Sequence, residues 1–200
     1  MPQINHIQFN DTTIYLWQIT ETEAELLKIL DEDMPEYIKK YKSELHRKQL
    51  LARSILQKRL DLNDVLYKNE QGKPFLKNGK FISISHAGHY VGIAISKQAI
   101  GIDIEKFSDK LTRVISKFLN KNEKKITNQL DKQQLLQIWT AKESIYKLTG
   151  IPGLRFREDI EITELNQEFG KAVVQNDTNI SLFFEALSND VLICMAIKIH

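Results

Sequence analysis

Gly101-Ile102-Asp103-Ile104-Glu105 alternates apolar and acidic side chains, the pattern of an extended strand whose successive residues point to opposite faces. Ile102 and Ile104 then face a core, and Asp103 and Glu105 stand side by side on the other face. Two carboxylates that close repel, so at least one pKa rises unless a cation sits between them. A divalent ion that takes oxygen donors and keeps waters and phosphate oxygens in its shell is the simplest resolution, which is magnesium-type chemistry. A D-x-E pair is also what the solvated face of an edge strand carries, and five residues by themselves favour that plainer reading.

Upstream, Phe81 to Ser85 and Val91 to Ile95 flank His86-Ala87-Gly88-His89 and read as a hairpin leading into the acidic strand. The three strands are expected to share one sheet, with Ser83 and Ser85 on one face and His86 at a strand end, where binding residues gather. Gly72-Lys73-Pro74-Phe75 reads as a turn, since Gly permits positive φ and Pro fixes φ while lacking a donor. A long helix runs from about Ser43 to Leu60. Its apolar residues spread around much of the circumference, so protein covers most of it, and Arg47, Lys48, Arg53, Lys58 and Arg59 lie among them. Some of those cations are expected to meet a partner anion, although snorkelling stems account for most. Earlier still, Thr13 to Ile19 reads as a first strand, Thr20 with Glu23 as a capping box ahead of a helix, and Lys39, Lys40 and Lys42 as a basic cluster on a solvated face.

Downstream, residues 106 to 130 read as mostly helical, and a second helix runs from about Lys132 to Thr149, stopped by Gly150 and Pro152. Four β-like runs follow, Asp159 to Leu165, Lys171 to Val174, Ile180 to Ala186 and Val191 to Ile199, separated by polar turns such as Gln175-Asn176-Asp177-Thr178-Asn179. They read as a second, antiparallel sheet. On a helical wheel Leu135, Ile138, Trp139, Ile145, Tyr146 and Thr149 form the apolar face of the second helix, yet Lys142 falls inside it and Glu143 at its edge. A buried charge needs a salt bridge, a metal or a charged ligand. Lys147, one turn after Glu143, suits an ion pair with it, so a plain surface pair stands level with function on this helix alone. Taken with the acidic strand, the helix supplies a third carboxylate for a hard cation and two ammonium groups for phosphate. That set equips the chain for chemistry on a pyrophosphate.

Composition narrows the field. The chain has 200 residues, 42% hydrophobic and 27% charged, with net charge +2, which is globular and far from the dense basic footprint of a nucleic-acid binder. Cys194 is the single cysteine and lies in the apolar run Val191 to Ile197, where a buried core residue is expected and no disulfide framework exists. The start, Met1-Pro2-Gln3-Ile4-Asn5-His6, has no signal-peptide pattern and no apolar run reaches membrane-helix length. The expectation is a soluble cytoplasmic protein.

Gly-Ile-Asp-Ile-Glu at 101–105 followed by Trp-Thr-Ala-Lys-Glu-Ser-Ile-Tyr-Lys at 139–147 resembles the paired signature of the 4′-phosphopantetheinyl transferases, of the surfactin-synthetase-activating type in particular. His46-Arg47, Gly72-Lys73-Pro74, Ser83-Ile84-Ser85-His86-Ala87-Gly88 and Phe118-Leu119 before Glu123 support it in the same order, and the resemblance covers roughly residues 37 to 160. It implies an α+β fold (α/β in the wider sense) of two similar halves, 1–100 and 101–200. Each would be a small antiparallel sheet packed with helices, in a pseudo-twofold arrangement with the active site between them. The implied reaction moves the 4′-phosphopantetheine arm of coenzyme A to a serine of an apo acyl or peptidyl carrier protein, releasing adenosine 3′,5′-bisphosphate. By the same resemblance Asp103, Glu105 and Glu143 would bind Mg²⁺, with Mn²⁺ as a substitute. Glu143, or a metal-bound water it holds, would be the base on the serine, and Lys147 would stabilise or protonate the leaving phosphate. Lys142 would contact the pyrophosphate. Arg47, Lys48 and His86 match the region holding the 3′-phosphate, with Lys39 or Lys40 as upstream candidates, and Gly72, Lys73, Pro74 and Ser85 match the adenine side. The implied partner is an acidic helical carrier docking near Phe118 and Leu119, with the enzyme a monomer that engages neither nucleic acid nor membrane.

Two other readings remain: a non-catalytic module that binds CoA or carrier protein, and another magnesium-dependent phosphotransferase or nuclease. The full set of carboxylates and lysines speaks against the first. The absence of a G-x-x-x-x-G-K-[ST] loop and of a basic stripe speaks against the second.

Overall fold

The computed structural model describes residues 4–62, 65–70, 72–127, 131–175 and 178–199. The chain divides into two compact units, Met1–Lys97 and Gln98–His200. The expected turn at Gln175 to Asn179, the end of the expected 106–130 helical segment and the first three residues lie partly or wholly outside the described residues.

In the first unit the elements are β1 (Ile4–Phe9), β2 (Thr12–Gln18), α1 (Glu23–Leu30), α2 (Glu36–Lys39), α3 (Glu44–Arg59), β3 (Leu66–Lys68), β4 (Pro74–Leu76), β5 (Phe81–Ala87) and β6 (Tyr90–Ser96). An antiparallel sheet of order β1-β2-β6-β5 carries them, with β3 and β4 as a separate two-stranded ribbon. Its core gathers Trp17, Leu26, Leu51, Leu56, Val91 and Ile93, all fully buried. The strand expected at Thr13 to Ile19 is β2, and β1 pairs beside it from Ile4↔Trp17 to Phe9↔Thr12. The capping box is Thr22 with Glu25, two residues later than the expected Thr20 with Glu23. Thr22 takes the extended conformation of an N-cap, φ −73 and ψ 162, so that the reciprocal side-chain bonds close there.

The second unit contains β7 (Ile100–Lys106), α4 (Asp109–Arg113), α5 (Ile115–Phe118), α6 (Glu123–Ile126), α7 (Lys132–Thr149), β8 (Ile160–Leu165), β9 (Phe169–Val174), β10 (Thr178–Ser188) and β11 (Val191–Lys198). Its antiparallel sheet runs β7-β11-β10-β9-β8, and α7 packs on β7 and β11. Residues 106–127, expected to be mostly helical, hold three short helices. α7 spans the expected residues because both ends are satisfied: the Asp131 carboxylate accepts from Gln133 and Gln134, and Gly150 closes the helix in the left-handed conformation at φ 62. No helix among the described residues is long and apolar enough to cross a membrane.

Within the first unit β6 lies between β2 and β5, and within the second β7 pairs with β11 from Ile100↔Ile197 to Lys106↔Val191.

Candidate active site

β7 presents its acidic face as the alternation requires. Ile102 and Ile104 are buried in the core, and Asp103 is only 4% exposed while Glu105 is partly covered. Gly101 makes this possible, since a Cβ built there would collide with the Ser144 carbonyl and lie 2.5 Å from the Leu148 amide nitrogen. Only a residue without a side chain lets the strand lie so close to α7. Cys194, opposite Asp103 in register, is buried as expected, and burial pushes its thiol up.

That close approach sets Asp103 and Glu105 against the helix face carrying Glu143 and Lys147. Lys147 Nζ donates to Asp103 Oδ1 at 2.7 Å, with the Asp103 side chain almost wholly buried. Trp139 Nε1 donates to Glu105 Oε1 at 2.8 Å. Burial, reinforced by the Asp103 charge, pushes Glu105 up to about 7 against the opposing effects of Trp139 and Lys147. Burial first and Asp103 second likewise push Glu143 up to about 7, with Lys147 pulling the other way. Glu143 and Lys147 are therefore no isolated surface pair, because Lys147 is drawn to the strand carboxylate.

A hard divalent cation suits this donor set in chemistry: three oxygen donors, two of them raised in pKa by burial and by the neighbouring Asp103 charge, and an ammonium already seated on the third. Among the described residues no three such groups are yet drawn together as a finished metal cage. In this arrangement Lys147 supplies the countercharge.

Lys142 is corrected. Its side chain is completely buried, and Nζ lies 2.7 Å from one Glu123 oxygen and 2.8 Å from the other, while also donating to the carbonyls of Phe118, Phe156 and Ile160 at 2.7 to 2.9 Å. An ammonium has three protons, all committed here, so it has none for a pyrophosphate. Glu123 in turn accepts from the Asn120 and Ile162 amides. Phe118 and Leu119 are fully buried too, so they form no docking surface; Ile126, at 49%, is the exposed apolar side chain of that segment. The sequence reading missed Trp139 and Glu123 as site residues. Trp139 was assigned to the apolar face of its helix, and Glu123 stood only as a marker; the charged Lys142 on that same apolar face was the signal that an acid had to meet it.

In the first unit Arg47 is anchored. Its Nε and one terminal nitrogen grip Glu23 at 2.9 to 3.2 Å, and the other terminal nitrogen donates to the carbonyls of Tyr41 and Lys42. It fastens the segment before α3, a different task from a free cation awaiting phosphate. Lys48 lies one residue on, half-buried. The His86 ring stands 5.5 Å from that of His46, which packs edge-on against Tyr41 at 4.4 Å. Gln49 joins this cluster to the β5–β6 turn through Gly88 O at 2.7 Å. Ser85 is buried beside His86 in β5. Gly72, at φ 79, sits in the β3–β4 connection, where the Lys73 amide donates to the Asn69 side chain and Pro74 opens β4. Lys39 is engaged by Glu36, and Lys40 lies 5.4 Å from the Tyr41 ring centre.

A family model described as the 4′-phosphopantetheinyl transferase superfamily matches residues 99–196, which takes in the whole of β7 and α7. The 4′-phosphopantetheinyl transferase gsp of Aneurinibacillus migulanus is 34% identical over 51% of this chain and 46% of its own length. The 4′-phosphopantetheinyl transferase ffp of Bacillus subtilis is 34% identical over 55% of this chain and 54% of its own. The 4′-phosphopantetheinyl transferase Sfp of Bacillus subtilis (strain 168) is 28% identical over 75% of this chain and 72% of its own. The chain spans about half the length of the first two relatives. The matched stretch coincides with the unit that carries Asp103, Glu105, Glu143 and Lys147, and over residues 99–196 this chain is similar to the 4′-phosphopantetheinyl transferase superfamily.

Proposed function

We propose that the protein is a 4′-phosphopantetheinyl transferase, moving the phosphopantetheine arm of coenzyme A to a serine hydroxyl of an apo acyl or peptidyl carrier protein. The observation that supports this most is the Asp103, Glu105, Glu143 and Lys147 group on β7 and α7, inside the segment that matches the superfamily. Asp103, Glu105 and Glu143 would hold Mg²⁺, which supplies neutralisation of the charge that grows on the pyrophosphate as the P–O bond breaks.

Glu143, with a pKa of about 7, is suited to take the serine proton at neutral pH. The serine oxygen forms a bond to the phosphorus that bears the pantetheine, and the bond from that phosphorus to the bridging oxygen breaks. Lys147 stabilises or protonates the departing adenosine 3′,5′-bisphosphate. Lys48 and His86 are proposed for the 3′-phosphate, Gly72, Lys73, Pro74 and Ser85 for the adenine side, and Arg47 for ordering the segment before α3. The protein is proposed to act as a monomeric cytoplasmic enzyme.

The test is intact-mass measurement of apo carrier proteins from fatty-acid, polyketide and peptide synthases after incubation with the protein, CoA and Mg²⁺. A gain of about 340 Da, one phosphopantetheine arm, that vanishes with EDTA and in Asp103→Ala or Glu143→Gln is expected. CoA binding without any mass gain across all carriers would replace the enzyme with the binding-module reading.

A further inference from the structure

Trp139 lies on α7 one turn before Glu143, where its ring is packed from two sides. Phe118 meets it edge-on with ring centres 5.4 Å apart, and Phe156 stands 5.6 Å away on a tilted plane. The backbone carbonyls of those same two phenylalanines both accept from Lys142 Nζ at 2.7 Å. The ammonium that Glu123 neutralises therefore also ties together the two residues that bracket the indole. With its ring so held, Trp139 aims one donor, Nε1–H, at Glu105 Oε1 at 2.8 Å.

A glutamate on a strand has several rotamers, and a ligand that must find its rotamer at the moment of binding pays that ordering in affinity. A neutral N–H fixes one oxygen without cancelling the carboxylate charge, which stays available to a cation. A second ammonium in that place would compete with it. We infer that Trp139 is a positioning residue for Glu105, and that Phe118, Phe156 and Lys142 form the bracket that fixes its indole. This gives buried Lys142 a part in the site at a distance, through packing, in place of contact with phosphate. The inference rests on the metal-binding reading of Glu105 proposed above.

Trp139→Phe keeps an aromatic ring in the bracket and removes the donor. It is expected to fold with a thermal midpoint close to wild type and to bind Mn²⁺, counted by the paramagnetic resonance of the free ion, at least tenfold more weakly. The chain has two tryptophans, Trp17 and Trp139, so the ¹⁵N-indole resonance missing from the variant identifies Trp139. In metal-free Glu105→Ala that resonance is expected to move upfield and exchange faster with solvent. An indole signal indifferent to Glu105→Ala, or unchanged Mn²⁺ affinity in Trp139→Phe, overturns the inference while leaving the proposed function standing. Wild-type protein that binds no Mn²⁺ while the indole still responds to Glu105→Ala overturns the metal assignment itself, and the positioning role with it.

Discussion

The Lys142 ammonium and the Glu123 carboxylate meet at 2.7 Å with neither side chain exposed to solvent. Breaking such a pair from one side leaves an uncompensated buried charge, at a cost of about 3–5 kcal/mol. Lys142→Met and Glu123→Gln should each lower the urea midpoint sharply. The double variant should recover part of the loss, because it leaves no charge behind. Additive losses in the double variant would show that the two groups are not coupled.

Gly101→Ala probes how closely β7 lies on α7. The added methyl meets backbone at Ser144 and Leu148, which cannot rotate away, so a loss of about 1–3 kcal/mol is expected from strand displacement. Because the displaced strand carries Asp103 and Glu105, transfer should fall by more than tenfold even where the variant is folded. Full activity with an unchanged melting temperature would mean that the strand has room to spare.

Metal-free protein should lose stability as pH rises from about 4.5 to 7. Glu105 and Glu143 are both raised from 4.5 to about 7, so across that window the folded chain holds protons the unfolded chain has released. Their contribution is complete below 4.5 and lost as pH passes 7. The difference between wild type and the Glu105→Gln/Glu143→Gln double variant isolates it, on the order of 3 kcal/mol for each carboxyl in denaturation free energy. Added Mg²⁺ should flatten the wild-type slope, since a bound cation favours the ionised carboxylates. Parallel pH curves for the two proteins would refute the raised pKa values.

Lys147→Met removes the countercharge seated on Asp103. At neutral pH the metal-free variant should be less stable than wild type by about 1–3 kcal/mol. Mg²⁺ should restore it more than it helps wild type, because the ion then meets three carboxylates with no competing ammonium. Transfer should nonetheless stay at least a hundredfold down if Lys147 assists the leaving phosphate. Equal stabilisation of both proteins by Mg²⁺ would separate Lys147 from the metal site.

Much of this was legible from local pattern. The alternation at 101–105, the apolar stripe of α7 with Gly150 behind it, α3, and the final four strands are set by periods and punctuation that a short window contains. What escaped depended on partners far along the chain. Lys142 on an apolar face announced a buried charge, but the acid that meets it sits in α6, one of three short helices whose periodicity is too brief to read. β7 takes β11 as a neighbour, a strand that no short window around 101–105 contains. Arg47 looked like a ligand-binding cation because nothing nearby in sequence identifies Glu23 as its partner. Trp139 looked apolar because a wheel sorts by hydropathy and ignores its one N–H.

The pairing of β7 with β11 also bears on when its sheet can close during synthesis. Its neighbour in the sheet is β11, so Asp103 faces Cys194 across about ninety residues of chain, a long loop to close. A nascent polypeptide that has already made β7 and α7 still lacks the strand that completes their sheet. The ladder that backs Asp103 can therefore close only after β11 has been made.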